Sequence, residues 1–135
     1  MKREIIFRGW SPIEGQWRYG SGIHQGPART YIINGAGLLD EVEPETVGEW
    51  TGLVDKAFRK IYEGDVIEVV TEFSENGNPD YVGVVQFYKE RACFVAWDED
   101  GNGLKWAHFE GLGHILGNIF EDADLKKKYG EIYKK

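Results

Sequence analysis

Two carboxylates in the segment YEGD at 62–65 are the side chains best placed for chemistry in this chain. Glu63 and Asp65 flank Gly64 directly before an apolar run, which predicts a loop-to-strand corner. A carboxylate pair can divide the acid and base roles of a reaction, and with a histidine it would suit a phosphate or nucleotide substrate. The same residues also suit a structural corner, where the glycine adopts a backbone angle that other residues resist and the carboxylates accept backbone N–H groups. We favour the structural corner.

A second acidic segment, DEDGNG at 98–103, begins like the loop of a calcium-binding EF-hand. Asp98, Asp100 and Asn102 fall at alternate positions, as calcium ligands do in that loop. The twelfth position needs a bidentate glutamate but is Phe109, and the flanking segments are typical of strands rather than helices. Asp-Gly and Asn-Gly are themselves hairpin-turn signals. The sequence therefore predicts a turn here and no metal site.

Histidine and cysteine add no recognisable site. The three histidines, His24, His108 and His114, lack the short spacings of metal ligands. The single cysteine, Cys93, lies in an apolar run and excludes a disulfide framework within the chain. Two glycine-containing segments, NGAGLLD and GLGHILG, lack the spacing of nucleotide-binding loops. We expect no cofactor.

Charge and hydropathy limit the classes of partner. The chain has 23 Asp and Glu against 16 Lys and Arg, a formal net charge of −7. Such an acidic protein repels a phosphate backbone, so nucleic acid is a disfavoured partner. No apolar stretch is long enough to span a membrane, and the amino terminus lacks the pattern of a secretory signal. These observations predict a cytoplasmic protein without a membrane partner.

Composition and periodicity predict a mainly β fold in one domain spanning residues 1–135. The chain has 18 glycines, seven Phe, seven Tyr and five Trp, which suit short strands joined by frequent turns. Between residues 39 and 47, LDEVEPETV predicts an acidic connector because Pro44 forbids a long central strand, and Thr51-Gly52 predicts a break after Trp50. The predicted strands are REIIFRGW (3–10), GQWRYGSGI (15–23), TYII (30–33), VIEVVTEF (66–73), YVGVVQFY (81–88), ACFVAW (92–97), LKWAHF (104–109) and GHILGNIF (113–120).

The carboxyl end changes to a helical period. Leu125, Tyr129, Ile132 and Tyr133 recur as one stripe of an amphipathic helix, and Asp122 is placed to cap its amino end. We predict that this stripe docks on the sheet. The fold class is therefore mainly β, with curved, coiled antiparallel sheets in a meander or partial small barrel and one short C-terminal α-helix.

Four segments of the chain resemble the YopX family of phage and prophage proteins: REIIFRGW, EVEPETVGEWTGLVDKAFRKIYEGDVIEV, GVVQF and HILGNIFEDADL. The resemblance extends from the amino end to about Leu125. Its most specific part is the signature block, TGL-x-D-K followed by IYEGD. Family members usually have a glycine-containing turn between the Asp-Lys and the Ile-Tyr, where this chain has Ala57-Phe58-Arg59.

The resemblance implies a small β-rich fold with bifurcated, coiled sheets, assembly as a homo-oligomer, and an origin in a phage or integrated element. It implies no activity, cofactor or catalytic residue. Unpaired strand edges and the many aromatic side chains also favour a homo-oligomer. We therefore expect a non-enzymatic binding or regulatory module in the cytoplasm of a bacterial host, with a host or phage protein as partner.

Two alternatives belong to other classes. One is a small enzyme that uses Glu63, Asp65 and a histidine, either His108 or His114, on a phosphate or nucleotide. The other is a small nucleic-acid-binding β-barrel that stacks bases on Trp and Tyr faces. The candidate binding residues lie in and beside the signature block: Trp50, Asp55, Tyr62, Glu63 and Asp65.

Overall fold

The computed structural model describes residues 4–105 and 113–133, which form twelve β-strands, one 3₁₀ turn and one α-helix. Contacts divide the chain into two compact units, Met1–Gly52 and Leu53–Lys135. The predicted mainly β fold with curved sheets and one short C-terminal helix is confirmed. Within the described residues, no helix combines the length and hydrophobicity that a membrane span requires.

The first unit contains two small antiparallel sheets. One includes three neighbouring strands in the order β2-β1-β6: β1 (Phe7–Ser11), β2 (Gln16–Gly20) and β6 (Gly48–Val54). The other has the order β3-β4-β5, formed by β3 (Gly22–Gln25), β4 (Thr30–Ile33) and β5 (Leu39–Val42). A 3₁₀ turn over Pro44–Thr46 follows β5.

Two glycines let the sheets of the first unit pack closely. A Cβ atom on Gly9 would lie 2.8 Å from the Val42 side chain, and one on Gly20 would lie 2.0 Å from the Ile33 carbonyl oxygen. Val42 and Ile32 are buried beneath this contact. One face of the β1-β2 hairpin therefore packs on the β3-β4-β5 sheet, and only glycine permits that approach.

The second unit is built on a five-stranded antiparallel sheet with the order β11-β10-β9-β8-β12. Its strands are β8 (Asp65–Val69), β9 (Tyr81–Tyr88), β10 (Cys93–Trp97), β11 (Gly103–Lys105) and β12 (Gly113–Asn118), and a short strand, β7 (Lys60–Tyr62), precedes them. The predicted meander from β8 to β11 is confirmed, and residues 106–109 of the predicted strand 104–109 lie outside the described residues. β12 returns to pair with β8 at the far edge.

Strand β8 separates two hydrophobic cores because its side chains alternate between faces. Ile67 and Val69 join one core, whereas Val66 joins the other. The helix α1 (Ala123–Tyr133) covers the second core with the predicted stripe of Leu125, Tyr129, Ile132 and Tyr133. The Asp122 carboxylate accepts the N–H groups of Asp124 at 3.0 Å and Leu125 at 3.2 Å, which confirms the predicted cap.

Several predicted boundaries are wrong, and four of them change how the chain is divided into elements. The acidic connector contains β5, because Pro44 begins the 3₁₀ turn only after that strand has ended. The predicted break at Thr51-Gly52 lies inside β6, where Gly52 has a φ of 90°. The predicted strand over 15–23 divides into β2 and β3 beyond Gly20. The predicted strand over 66–73 ends at Val69, because the N–H of Thr71 donates to the Ser74 hydroxyl instead of a neighbouring strand.

Candidate functional site

The signature block contains a turn over residues 55–59 that is organised by the Asp55 carboxylate. Its Oδ1 accepts the N–H groups of Ala57 and Arg59, both at 2.9 Å. Its Oδ2 accepts Nε–H of Arg59 at 3.0 Å and the N–H of Ile115, in β12, at 3.1 Å. The Asp55 side chain is 0% exposed. One buried carboxylate therefore fixes the turn and ties it to β12.

Charge is retained on Asp55 despite its burial. Desolvation by itself raises the pKa of this carboxyl, but the hydrogen bonds from Arg59, Ile115 and Ala57 outweigh it and hold the pKa below the ordinary value of 3.8. The Arg59 guanidinium lies 2.8 Å from Oδ2 and also donates to the Ile115 carbonyl at 2.9 Å. These contacts give Asp55 a positioning role within the protein.

Phe58 occupies the position in this turn that favours glycine. Its φ is 63°, in the left-handed region, and its side chain is 87% exposed. The turn closes through the N–H of Phe58 to the Asp55 carbonyl at 3.0 Å and the N–H of Asp55 to the Arg59 carbonyl at 2.8 Å. Phe58 therefore has a strained backbone conformation without the compensation of a buried side chain.

We expect Phe58→Gly to raise the free energy of unfolding by about 0.5–1 kcal/mol. Relief of left-handed strain contributes about 1–2 kcal/mol, and the greater freedom of glycine in the unfolded chain offsets part of it. The neighbouring Ala57→Gly, where φ is not positive, should instead lower stability by up to about 1 kcal/mol. Urea unfolding of both variants measures the difference, and a destabilised Phe58→Gly protein would contradict the assignment of strain.

The corner at 62–65 has the geometry predicted for a structural role. Gly64 has a φ of 89°, its N–H donates to the Val85 carbonyl at 2.8 Å, and its carbonyl accepts the N–H of Ile119 at 3.1 Å. Oδ2 of Asp65 accepts the N–H of Tyr62 at 2.8 Å. Oε2 of Glu63 accepts the N–H of Phe87 at 3.1 Å. The predicted backbone angle and the predicted caps are therefore both present.

His114, on β12, is the described histidine nearest to this corner in the register of the sheet, but its side chain does not face the corner. His114 lies opposite Glu68, three residues along β8 from Asp65, or about 10 Å at the usual rise per residue. Because side chains alternate along a strand, His114 and Asp65 also lie on opposite faces. The other histidine of the enzyme hypothesis, His108, lies outside the described residues. The register of the described sheet therefore does not bring His114 to the Asp65 carboxylate.

Trp50 belongs to a different cluster, in the first unit. In the β1-β2 hairpin Arg8 pairs with Tyr19 and Trp10 with Trp17, so these four side chains share one face. The N–H of Trp50 donates to the Ile6 carbonyl at 2.8 Å, which continues the register of β6 and places Trp50 on that face too. We call this set the aromatic face: Arg8, Trp10, Trp17, Tyr19 and Trp50.

The aromatic face is tightly organised around one cation. The Arg8 guanidinium lies 4.3 Å from the centre of the Trp17 ring, and the rings of Trp10 and Trp17 meet edge to face at 5.4 Å. Arg8 is only 6% exposed, whereas Tyr19 is 48% exposed. The sequence predicts that Trp17 and Tyr19 lie in one strand, but it does not identify their partners, because the register of the hairpin decides which residues of β1 lie opposite them.

The acidic segment at 98–103 is a hairpin turn, as predicted. Oδ1 of Asp98 accepts the N–H groups of Asp100 at 3.0 Å and Asn102 at 2.8 Å. Gly101 has a φ of 82°, as turns of this kind require. Across residues 4–105 and 113–133, no group of three His, Cys, Asp or Glu side chains is arranged to hold a metal ion.

Comparison with protein families matches residues 6–126 to the family described as YopX protein. The chain belongs to the YopX family. The match spans the described β-strands from Phe7 to Asn118, so it covers most of both compact units. A search of curated proteins returned no significant match.

The YopX signature block coincides with the turn at 55–59 and the corner at 62–65. In both places the carboxylates accept N–H groups from neighbouring strands or from their own turn. Of the predicted binding residues, Asp55, Tyr62 and Asp65 are buried, whereas Trp50 is half-buried on the aromatic face. The signature residues therefore hold the second unit together, whereas the aromatic face lies in the first.

Proposed function

We propose that this YopX chain is a non-enzymatic binding module, encoded by a phage or prophage and active in the host cytoplasm. The supporting observation is the use of the signature carboxylates. Asp55, Glu63 and Asp65 each accept backbone N–H groups at 2.8–3.1 Å. An acid–base catalyst instead needs a carboxylate within reach of a substrate proton. The signature block is better explained as a scaffold.

The aromatic face is the surface we propose for the partner, which we take to be a host or phage protein. Trp, Tyr and Arg are the residues most enriched among the energetic centres of protein interfaces. The net charge of −7 favours a partner with a basic surface through electrostatic steering. Self-association belongs to the same proposal, because β11 and β12 stand at the two ends of the five-stranded sheet.

Capture of partners from bacterial host cells by the tagged chain tests this proposal. We expect a protein that is retained by the wild-type chain and lost by roughly fivefold or more with Tyr19→Ala, as for an interface hot spot. Leu39→Ala is the matched control, because Leu39 is 50% exposed on β5 whereas Tyr19 is 48% exposed. Equal retention by all three chains would contradict the aromatic face. Turnover of a nucleotide or phosphate ester that Glu63→Gln abolishes would establish the enzyme instead.

Single-stranded nucleic acid is a second candidate, favoured by the Arg8 guanidinium 4.3 Å from the Trp17 ring. The acidic charge opposes it. We expect an oligothymidylate of about 20 nucleotides to bind with a Kd weaker than about 10 μM at about 150 mM salt, and more weakly as salt increases. Fluorescence anisotropy measures this affinity. A submicromolar Kd that Trp17→Ala abolishes would replace the protein partner with nucleic acid.

A further inference from the structure

A small pocket of about 350 Å³ lies in the first unit, between the turn at 25–30 and the segment at 41–44. Three prolines, Pro12, Pro27 and Pro44, contribute to its lining, together with Val42. The volume lies at the lower end of the range of ligand sites, which suits one long side chain and its adjoining backbone. We call it the proline pocket.

The walls of the proline pocket are fixed before any ligand arrives. The N–H of Gly26 donates to the Arg29 carbonyl at 2.8 Å and closes the turn. The N–H of Glu43 donates to the Trp10 carbonyl at 2.9 Å, and the Glu43 carbonyl accepts the Thr46 hydroxyl at 2.6 Å. Proline rings restrict the backbone further. Little ordering is therefore required on binding, so a small contact area can still give measurable affinity.

Glu41 and Glu43 give the proline pocket its chemistry. Both line it, and their positions two residues apart place them on one face of the extended segment. Oε1 of Glu41 accepts Nη1–H of Arg29 at 3.0 Å, in an ion pair whose arginine is 65% exposed. Glu43 is a half-buried residue, and its carboxylate makes no hydrogen bond or ion pair with any described residue. An unpaired carboxylate at a pocket is a position where a positively charged ligand is favoured.

We propose that the proline pocket binds the guanidinium group of an arginine side chain on a partner peptide or protein. A planar guanidinium donates in a fork that matches a carboxylate, and Glu43 supplies that acceptor. The charge of the chain supports this choice, since a net −7 attracts basic segments over long range. The site goes beyond the proposed interface on the aromatic face, because its lining comes from residues outside that set.

The test uses N-acetyl-arginine N-methylamide as the probe and ¹⁵N-labelled full-length chain, followed by two-dimensional NMR. We expect saturable shifts of the backbone N–H signals within 25–30 and 41–46, with a Kd of about 1–10 mM, which suits a single charged side chain. The citrulline analogue has nearly the same shape without the charge and should produce no saturable shift. Because the probe is a small amide, the result does not depend on whether a protein docks on the aromatic face.

Two variants identify the carboxylate. Glu43→Gln should weaken binding of the arginine probe by roughly fivefold or more, since it removes the charge but keeps the shape. Glu45→Gln is the matched control, because Glu45 is exposed, lies two residues away and does not line the pocket. The unperturbed spectrum of each variant reports whether it has folded. Equal binding of the citrulline analogue, shifts confined to other segments, or unchanged affinity in folded Glu43→Gln would overturn the proposal.

Discussion

Replacing Asp55 with alanine should lower the free energy of unfolding by about 3–5 kcal/mol. The change leaves the N–H groups of Ala57, Arg59 and Ile115 without their acceptor, and an unsatisfied buried donor costs roughly 1–3 kcal/mol. Because the Ile115 bond joins residues 60 positions apart, the loss also frees β12 from the turn. Equilibrium unfolding in urea measures the effect.

A matched control separates this effect from general removal of charge. Glu75 is exposed in the loop before β9, so Glu75→Gln should change stability by less than about 0.5 kcal/mol. The loss of stability in Asp55→Asn should fall between those of Asp55→Ala and Glu75→Gln. An amide retains one acceptor oxygen but adds a donor to a site that already has four donors. A loss below about 1 kcal/mol in Asp55→Ala would show that water replaces the carboxylate without cost.

Acid should weaken the wild-type chain more than the Asp55→Ala variant. The folded pKa of Asp55 lies below the ordinary value of 3.8, so its contribution to stability is complete above the unfolded pKa. It is then lost as the pH falls from about 4 through the folded pKa. The difference in unfolding free energy between the two proteins should therefore narrow as the pH is lowered from about 6 to about 3. Parallel curves would contradict the depressed pKa.

Most strands could be predicted from sequence because alternation and turn residues are local signals. TYII at 30–33 and YVGVVQFY at 81–88 match β4 and β9, and each is bounded by residues that favour turns. The acidic strand β5 is not predicted, because Asp40 and Glu41 are unfavourable in a strand unless their charges are paired. Oδ2 of Asp40 lies 3.2 Å from Nε of Arg18, and Oε1 of Glu41 lies 3.0 Å from Nη1 of Arg29. Partners from other strands make these acidic residues acceptable, and the local pattern does not contain them.

Parts of the candidate site also differ in whether local sequence is enough to predict them. The corner at 62–65 was predictable, because the capping of Tyr62 by Asp65 and the angle of Gly64 are properties of four consecutive residues. The bond from Ile115 to Asp55 was not, since it depends on β12 returning to pair with β8. The aromatic face required the register between β1 and β2, although alternate aromatic residues in both strands were a signal that could have indicated it.

Gly64→Ala should be the most damaging glycine substitution in the signature block, at about 3 kcal/mol. A left-handed backbone costs alanine about 1–2 kcal/mol, and forcing an atom into a packed site costs about 1–3 kcal/mol more. Both conditions apply, since Gly64 has a φ of 89° and its Cβ would lie 2.4 Å from the Phe120 ring. Urea unfolding measures the total.

Substitution of Gly52 separates the cost of the left-handed backbone from the cost of the packing clash. Its φ of 90° nearly equals that of Gly64, but no atom lies within 4 Å of the position its Cβ would take. Gly52→Ala should therefore cost only the backbone share, about 1–2 kcal/mol. If both substitutions cost the same, the Phe120 ring moves aside freely and the corner does not depend on its packing.

A double-mutant cycle with Phe120→Leu completes the argument. Phe120 packs against the second core and meets the Tyr133 ring edge to face at 5.8 Å, so its shortening is destabilising in its own right. Leucine removes the ring atoms that a Cβ at residue 64 would meet. Gly64→Ala should therefore cost about 1–2 kcal/mol less in the Phe120→Leu background than in the wild type. That coupling would show that the glycine of the signature is required for two reasons, the backbone angle of the corner and the approach of the segment that leads into α1.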